Sequence, residues 1–265
     1  MNSPLFHHEQ GCGRHIILLH GWGMDHSLFA DLQARLTTEG FHSISYDLRG
    51  FGASSKSTTP YTYDLHAQDL HELIEERDWH DVILCGFSMG AAIAVRYLTR
   101  FQQHNRIERL VLLGAAAPVF TQRSDWPYGV TQRDVDGLML SVKKNRDAAI
   151  EQFATLCFSP SIDIDPEKLT QMQSIAARAD SDALLDGLQE LRDVDLRSEI
   201  NALTLPTTIL HGAHDAVCPI QFADYLAQHI AHAKIVRLEG VGHHFLHDIP
   251  NELFYKKLFR ALSLL

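Results

Sequence analysis

The sequence predicts an α/β chain: a mostly parallel central sheet, flanked by helices and interrupted by an inserted helical segment. Three observations carry this. Short Val, Ile and Leu runs alternate with amphipathic segments, the pattern of strand–helix–strand units whose strands are covered on both faces. The alternation fails from about Pro118 to Asp195, where the chain turns polar and helical, and resumes at Pro206. Before that break, Gly86-Phe87-Ser88-Met89-Gly90 joins the apolar run Val82–Cys85 to the helix-like segment Ala91–Leu98.

Taken in order, the expected strands are Ile16–Leu19, Ser43–Tyr46, Val82–Cys85, Leu110–Leu113, Thr207–Leu210 and Lys234–Leu238, with a weak strand before Gly11. The expected helices of the core are Ser27–Thr38, Asp64–Arg77, Ala91–Phe101, Gln221–His229 and Asn251–Leu262. The inserted helices are Asp134–Lys143, Asp147–Phe158, Pro166–Ala179 and Asp182–Leu191, and Pro166 suits a first helical turn. This divides the chain into 1–118 and 196–265, two parts of one core, and 119–195, a helical lid over the C-terminal edge of the sheet. A chain of 265 residues is long enough to bury such a core.

A formal net charge of −10 argues against nucleic-acid binding, which needs a clustered basic face. Apolar runs fall short of the ~20 residues that span a bilayer, so no membrane partner is expected. The start, Met1 to Glu9, lacks the basic and apolar parts of a secretory signal. Cys12, Cys85, Cys157 and Cys218 are scattered without C-x-x-C spacing, which fits free thiols in a reducing cytoplasm. The chain is read as a monomer without a cofactor. Of 17 histidines, only the pairs His243/His247 and His211/His214 are spaced like ligands. Neither has the H-E-x-x-H form, and no metal site is expected. His7, His8, His66, His71, His80 and His104 read as incidental in polar surroundings.

The chemistry starts at Ser88. Small residues two places on either side let a strand turn sharply into a helix and hold the hydroxyl at the sheet edge. A serine hydroxyl needs a base, and the base an orienting acid. The best acid is Asp215 in His211-Gly212-Ala213-His214-Asp215, after the strand Thr207–Leu210. The best base is His243, after the strand Lys234–Leu238, with His244 an adjacent rival. Asp248 reads as a surface or capping residue instead. An oxyanion needs two converging N–H donors; Met89, after the nucleophile, and Trp22, in His20-Gly21-Trp22-Gly23, are the candidates. His20 is expected to brace that loop. Asp47 and Arg49, in the glycine-rich Asp47–Ser54 loop, are expected to tie it to its neighbours; a phosphate-loop reading lacks the spacing.

These motifs together resemble the α/β-hydrolase superfamily over essentially the whole chain. At finer grain, Leu19–Gly23, Gly50–Ser54, Gly86–Gly90, Arg123-Ser124-Asp125-Trp126-Pro127, Gly187–Leu191 and Val194-Asp195-Leu196-Arg197 are similar to the pimeloyl-[acyl-carrier protein] methyl ester esterases of biotin synthesis. The resemblance implies hydrolysis of a methyl ester on a carrier-bound acyl chain. It also implies that Phe153 and Cys157 line the acyl pocket with Trp22. That family presents arginines on its lid helices to the carrier; here Ala148 and Gln152 stand at two of those places, with Lys143, Lys144 and Arg146 nearby. A general short-chain carboxylesterase and a carbon–carbon bond hydrolase share the same serine, acid and histidine. A binding module would keep the fold and lose the activated serine.

Overall fold

The computed structural model describes residues 5–101, 105–158, 166–248 and 252–263. The expectations on Met1 to Pro4, His104 and Asn251 fall outside them, as do the side chains of His247 and Asp248. Among the described residues seven strands form one sheet: β1 (His7–Gly11), β2 (Arg14–Leu19), β3 (Phe41–Tyr46), β4 (Val82–Phe87), β5 (Ile107–Leu113), β6 (Thr207–Gly212) and β7 (Ala233–Leu238). Their order across the sheet is β1-β3-β2-β4-β5-β6-β7. Only the edge strand β1 runs antiparallel; every other pairing is parallel.

Alternate residues of the middle strands serve opposite faces, as the two-residue repeat of a strand requires. Ile17, Leu19, Val82, Leu84, Leu110 and Leu112 pack toward α2 (Tyr63–Arg77), α3 (Met89–Phe101) and α9 (Ile220–His229). Ile16, Leu18, Ile83, Cys85, Val111 and Leu113 pack toward α1 (Ala30–Thr38) and α11 (Glu252–Ser263). Burial on both faces explains why these strands read as unbroken apolar runs.

Between β5 and β6 the chain forms α4 (Gln132–Lys144), α5 (Arg146–Cys157), α6 (Pro166–Ala177) and α7 (Ser181–Asp193), then the short α8 (Arg197–Ile200). Thr131 caps α4 through a reciprocal capping box with Asp134. The excursion leaves and returns at one point: Val119 bridges Asp195, and the Leu196 N–H donates to the Pro118 carbonyl at 2.9 Å. There Arg197 pairs with both Asp195 (2.7 Å) and Asp125 (2.9 Å). Trp126 packs on Phe222 and Tyr225 of α9. The Asp-Trp-Pro and Asp-Leu-Arg motifs are therefore two halves of one clasp.

The structure differs from the sequence expectations in local ways. The expected helix from Ser27 opens with a 3-10 turn, His26–Phe29, capped by Asp25. β5 begins at Ile107, three residues before the expected start, which Glu108 and Arg109 concealed by interrupting the apolar run. A short α10 (Phe245–Asp248) precedes the last helix. His66 does not sit in polar surroundings: it is buried between Phe51 and Tyr61. His71 stacks on Phe101.

Candidate active site

Ser88 stands between the last residue of β4 and the first of α3, in the left-handed backbone region at φ 54°. A non-glycine residue there stores on the order of 1–2 kcal/mol of strain and needs surroundings that impose it. They do. The Ser88 N–H donates to the Leu113 carbonyl (2.9 Å), and its own carbonyl accepts from Ala91 (3.0 Å) and Ala116 (3.2 Å). Both flanking glycines are sterically required. A Cβ on Gly86 would lie 2.5 Å from the Gly90 carbonyl oxygen, and one on Gly90 would lie 2.4 Å from that of Leu19.

Asp215 follows β6, and His243 follows β7. The His243 loop reaches the serine by crossing the end of β6, where a Cβ on Gly212 would strike the Gly242 carbonyl at 2.3 Å. Two backbone bonds fasten that crossing, Ala213 N–H to the Leu238 carbonyl and His214 N–H to the Val241 carbonyl, both at 2.9 Å. The three side chains then form one hydrogen-bonded chain: Ser88 Oγ to His243 Nε2 at 3.0 Å, and His243 Nδ1 to Asp215 Oδ2 at 2.7 Å. A carboxylate only accepts, so Nδ1 carries the proton and Nε2 is left to accept from the hydroxyl. All three are buried. Of the adjacent histidines, His243 is the one in the chain. His244 turns the other way, with its ring beside Phe158 and its N–H on the Cys157 carbonyl (2.8 Å).

The loop after β2 passes against the nucleophile, since a Cβ on Gly21 would sit 3.0 Å from the Ser88 Cβ. His20 braces it as expected. Leu48 N–H donates to His20 Nε2 (2.9 Å), which puts the ring proton on Nδ1, where it meets the Gly21 carbonyl (2.8 Å). Burial holds this imidazole below its usual pKa. The indole of Trp22 donates to the Leu184 carbonyl (2.8 Å) and packs edge-on against Phe153 (5.0 Å). Gly187 makes room for it: a Cβ there would meet the indole at 3.0 Å. Asp47 and Arg49 also act as ties. Asp47 accepts from the His26 and Ala53 N–H groups, each at 2.7 Å, and Arg49 grips Asp69 with two bonds.

Ser88 opens into a cavity of about 520 Å³, walled by Trp22, Phe120, Val135, Leu138, Phe153 and Leu188. Phe153 is where the resemblance placed it. Cys157 is not: it is buried behind the wall, one turn past Phe153, and does not line the cavity. Met89 is buried too, with its side chain toward Gly187. Arg146, expected near a carrier-docking face, instead donates to the Ala177 and Ala179 carbonyls at the end of α6 (3.1 and 3.0 Å).

The His211/His214 pair separates, His211 buried and His214 exposed. Among the described residues one His and carboxylate group gathers closely, Asp25, His26 and Asp47. Its oxygens are already engaged, those of Asp25 by Ser27 and Arg178 and those of Asp47 by His26 and Ala53. Sequence reasoning missed how Asp215 is held. Its Oδ1 accepts from the Val217 (2.9 Å) and Cys218 (2.7 Å) N–H groups, an arrangement signalled only by the short run from Asp215 to Pro219.

Fold and site together define an α/β hydrolase. The family model for the alpha/beta hydrolase fold matches residues 14–250, and the chain belongs to that family. Its relatives carry different names. The AB hydrolase superfamily protein YisY of Bacillus subtilis is 36% identical, over 90% of this chain and 88% of its own. A putative non-heme chloroperoxidase of Synechocystis is 30% identical (90% and 88%), and a pimeloyl-[acyl-carrier protein] methyl ester esterase of Nitrosomonas europaea is also 30% identical (88% and 90%). Among solved structures, the esterase EaEST of Exiguobacterium antarcticum superposes with a TM-score of 0.92 at 32% identity, covering 98% of this chain and 96% of that one.

Proposed function

We propose that the protein is a serine carboxylic ester hydrolase working through an acyl-enzyme. The observation that carries this is the continuous Ser88–His243–Asp215 hydrogen-bond chain opening into an apolar cavity. Ser88 Oγ attacks the ester carbonyl as His243 Nε2 takes its proton, and Asp215 holds the imidazole and stabilises its cation. The backbone N–H groups of Met89, free of an intrahelical partner in the first turn of α3, and of Trp22 receive the oxyanion. His243 returns the proton to the departing alcohol. It then acts as base for the water that frees the acid.

Residues 119–195 serve as the lid, and the cavity under it takes the acyl chain. A space of about 520 Å³ suits short and medium chains. The narrower substrate is the methyl ester of a pimeloyl chain on acyl carrier protein, which would place the enzyme in biotin synthesis. Its support is the named relative and the motif resemblance. Two structural facts weigh on it: Asp125 and Arg197 build the clasp and do not line the cavity, and Arg146 is committed to α6. Exposed Lys143 and Lys144 are left on that lid face, with exposed Arg133 of the same helix at the cavity wall.

A fluorophosphonate probe tests the reading. Wild type should label stoichiometrically and Ser88→Ala should not; an unlabelled wild type would mean a binding module with an inert serine. Rates on pimeloyl-carrier methyl ester against the carrier-free ester then decide the narrower substrate. Equal rates would leave a general carboxylesterase. The chloroperoxidase relative favours one second reading, in which hydrogen peroxide replaces water at deacylation and releases a peroxy acid. Peroxide-dependent halide oxidation, lost in Ser88→Ala, tests it.

A further inference from the structure

His211 is a buried imidazole beside the reacting groups for which the mechanism above has no use. It lies at the end of β6 and is fully buried. Its Nε2 is 2.7 Å from the Cys218 carbonyl oxygen and 3.5 Å from Asp215 Oδ2. A carbonyl only accepts, so Nε2 must carry a proton. Burial, the largest influence on this ring, holds its pKa below the ordinary histidine value, and the neutral ring therefore has its single N–H at Nε2.

The loop from Gly212 to Cys218 is thus closed from both ends around one carboxylate. The Val217 and Cys218 amides hold Oδ1, and His211 holds the carbonyl of the same Cys218. Nε2, and with it the N–H proton, also lies 3.5 Å from Oδ2, the oxygen that His243 engages.

We propose that His211 is a positioning residue for ester hydrolysis: its Nε2–H fixes the Asp215 loop and weakens, from the far side, the pull of Oδ2 on His243. The inference rests on the Ser88–His243–Asp215 reading and deepens it. Its chemistry is a matter of sign. An N–H dipole pointing at a carboxylate oxygen offsets part of its negative charge. Less negative charge at Oδ2 stabilises the imidazolium of His243 less. The other titratable groups facing His211 are His243 and, on α9, Asp224, which is paired with Arg237. Of these, His243 itself donates to Oδ2, through Nδ1 at 2.7 Å.

The test uses His211→Phe, which keeps the ring and loses the donor, and His211→Gln, whose amide nitrogen can stand near the position of Nε2. In His211→Phe the acidic limb of the kcat/KM profile should move up by about half a pH unit, and the rate above that limb should fall about tenfold or more as Asp215 loosens. His211→Gln should restore the limb. An unchanged limb in a folded His211→Phe, or an equal displacement in both variants, would overturn the proposal. Should His211→Phe fail to fold, nitrogen-15 NMR of the wild-type histidines decides: His211 must remain an Nε2–H tautomer through the pH range of the limb. An Nδ1–H tautomer, or protonation within that range, would end the argument. The tautomer reading does not depend on turnover, so failure of the esterase assignment and failure of this one are separable.

Discussion

Replacing Gly90 by alanine should damage catalysis far more than its size suggests. The new methyl would sit 2.4 Å from the Leu19 carbonyl oxygen and 2.6 Å from that of His20. Ordinary contact begins near 3.4 Å, so something must move by about 1 Å. β2 is hydrogen-bonded to β3 on one side and β4 on the other, and both contacts are backbone atoms. The N-terminus of α3 therefore gives way, carrying Ser88 and Met89 with it. Overpacking of this kind costs about 1–3 kcal/mol of stability. A displacement of that size at the nucleophile costs about 10²-fold in rate. Urea midpoints and kcat on p-nitrophenyl butyrate would be measured together. A folded Gly90→Ala enzyme with wild-type kcat would refute the claim that this glycine sets the position of the serine. Gly137→Ala, on a helix with nothing within 4 Å of the added methyl, gives the contrast: its stability should rise by about 0.5–1 kcal/mol.

Other consequences can be measured as directly. Asp215→Asn should lower kcat by about 10⁴, because an amide can donate to Nδ1 and fix the wrong tautomer of His243; loss of less than tenfold would remove Asp215 from the mechanism. Leu138→Trp should fill part of the cavity and abolish turnover of hexanoyl and longer esters while acetyl esters persist; a parallel loss of both would show that the chain binds elsewhere. Acid should destabilise the fold through His66, whose pKa burial lowers to about 3. The unfolded ring takes its proton near 6.5 and the folded one does not, so stability is full above 6.5 and falls as pH drops toward 3. By pH 5 the loss from this residue is about 2 kcal/mol. Buried His20 and His211 shift in the same direction. Urea unfolding of wild type and His66→Gln between pH 5 and 8 checks this, and equal slopes would contradict it.

How much of this was legible beforehand follows from what each element rests on. The middle strands were plain, because burial on both faces demands apolar residues at every position. β1 was faint because His7-His8-Glu9-Gln10-Gly11 lies on an exposed edge, where pairing is made by backbone atoms and leaves the side chains unconstrained. Ser88 was legible because Gly86 and Gly90 are sterically compelled. The choice between His243 and His244 was not legible from spacing alone: they are neighbours in sequence, and the crossing over Gly212 decides which ring turns inward. Cys157 was placed at the cavity by the resemblance alone; on α5 it turns into the core, while Phe153 and Leu156 of the same helix line the cavity. The grip of Val217, Cys218 and His211 on Asp215 uses backbone donors, an acceptor and one ring nitrogen that no residue pattern announces.

The clasp at Pro118–Leu196 has a consequence for how such a chain can change. The whole helical excursion begins and ends at two chain segments, Pro118–Val119 and Asp195–Leu196, that already lie side by side, so a replacement need only begin and end at the same spacing. Closing a loop twice as long costs only about 0.6 kcal/mol more. The residues that would choose the acyl group are thus spliced into the fold, while Ser88, Asp215 and His243 hang from strands outside the splice. Exchange of that cassette between relatives would transplant taste and leave the teeth in place.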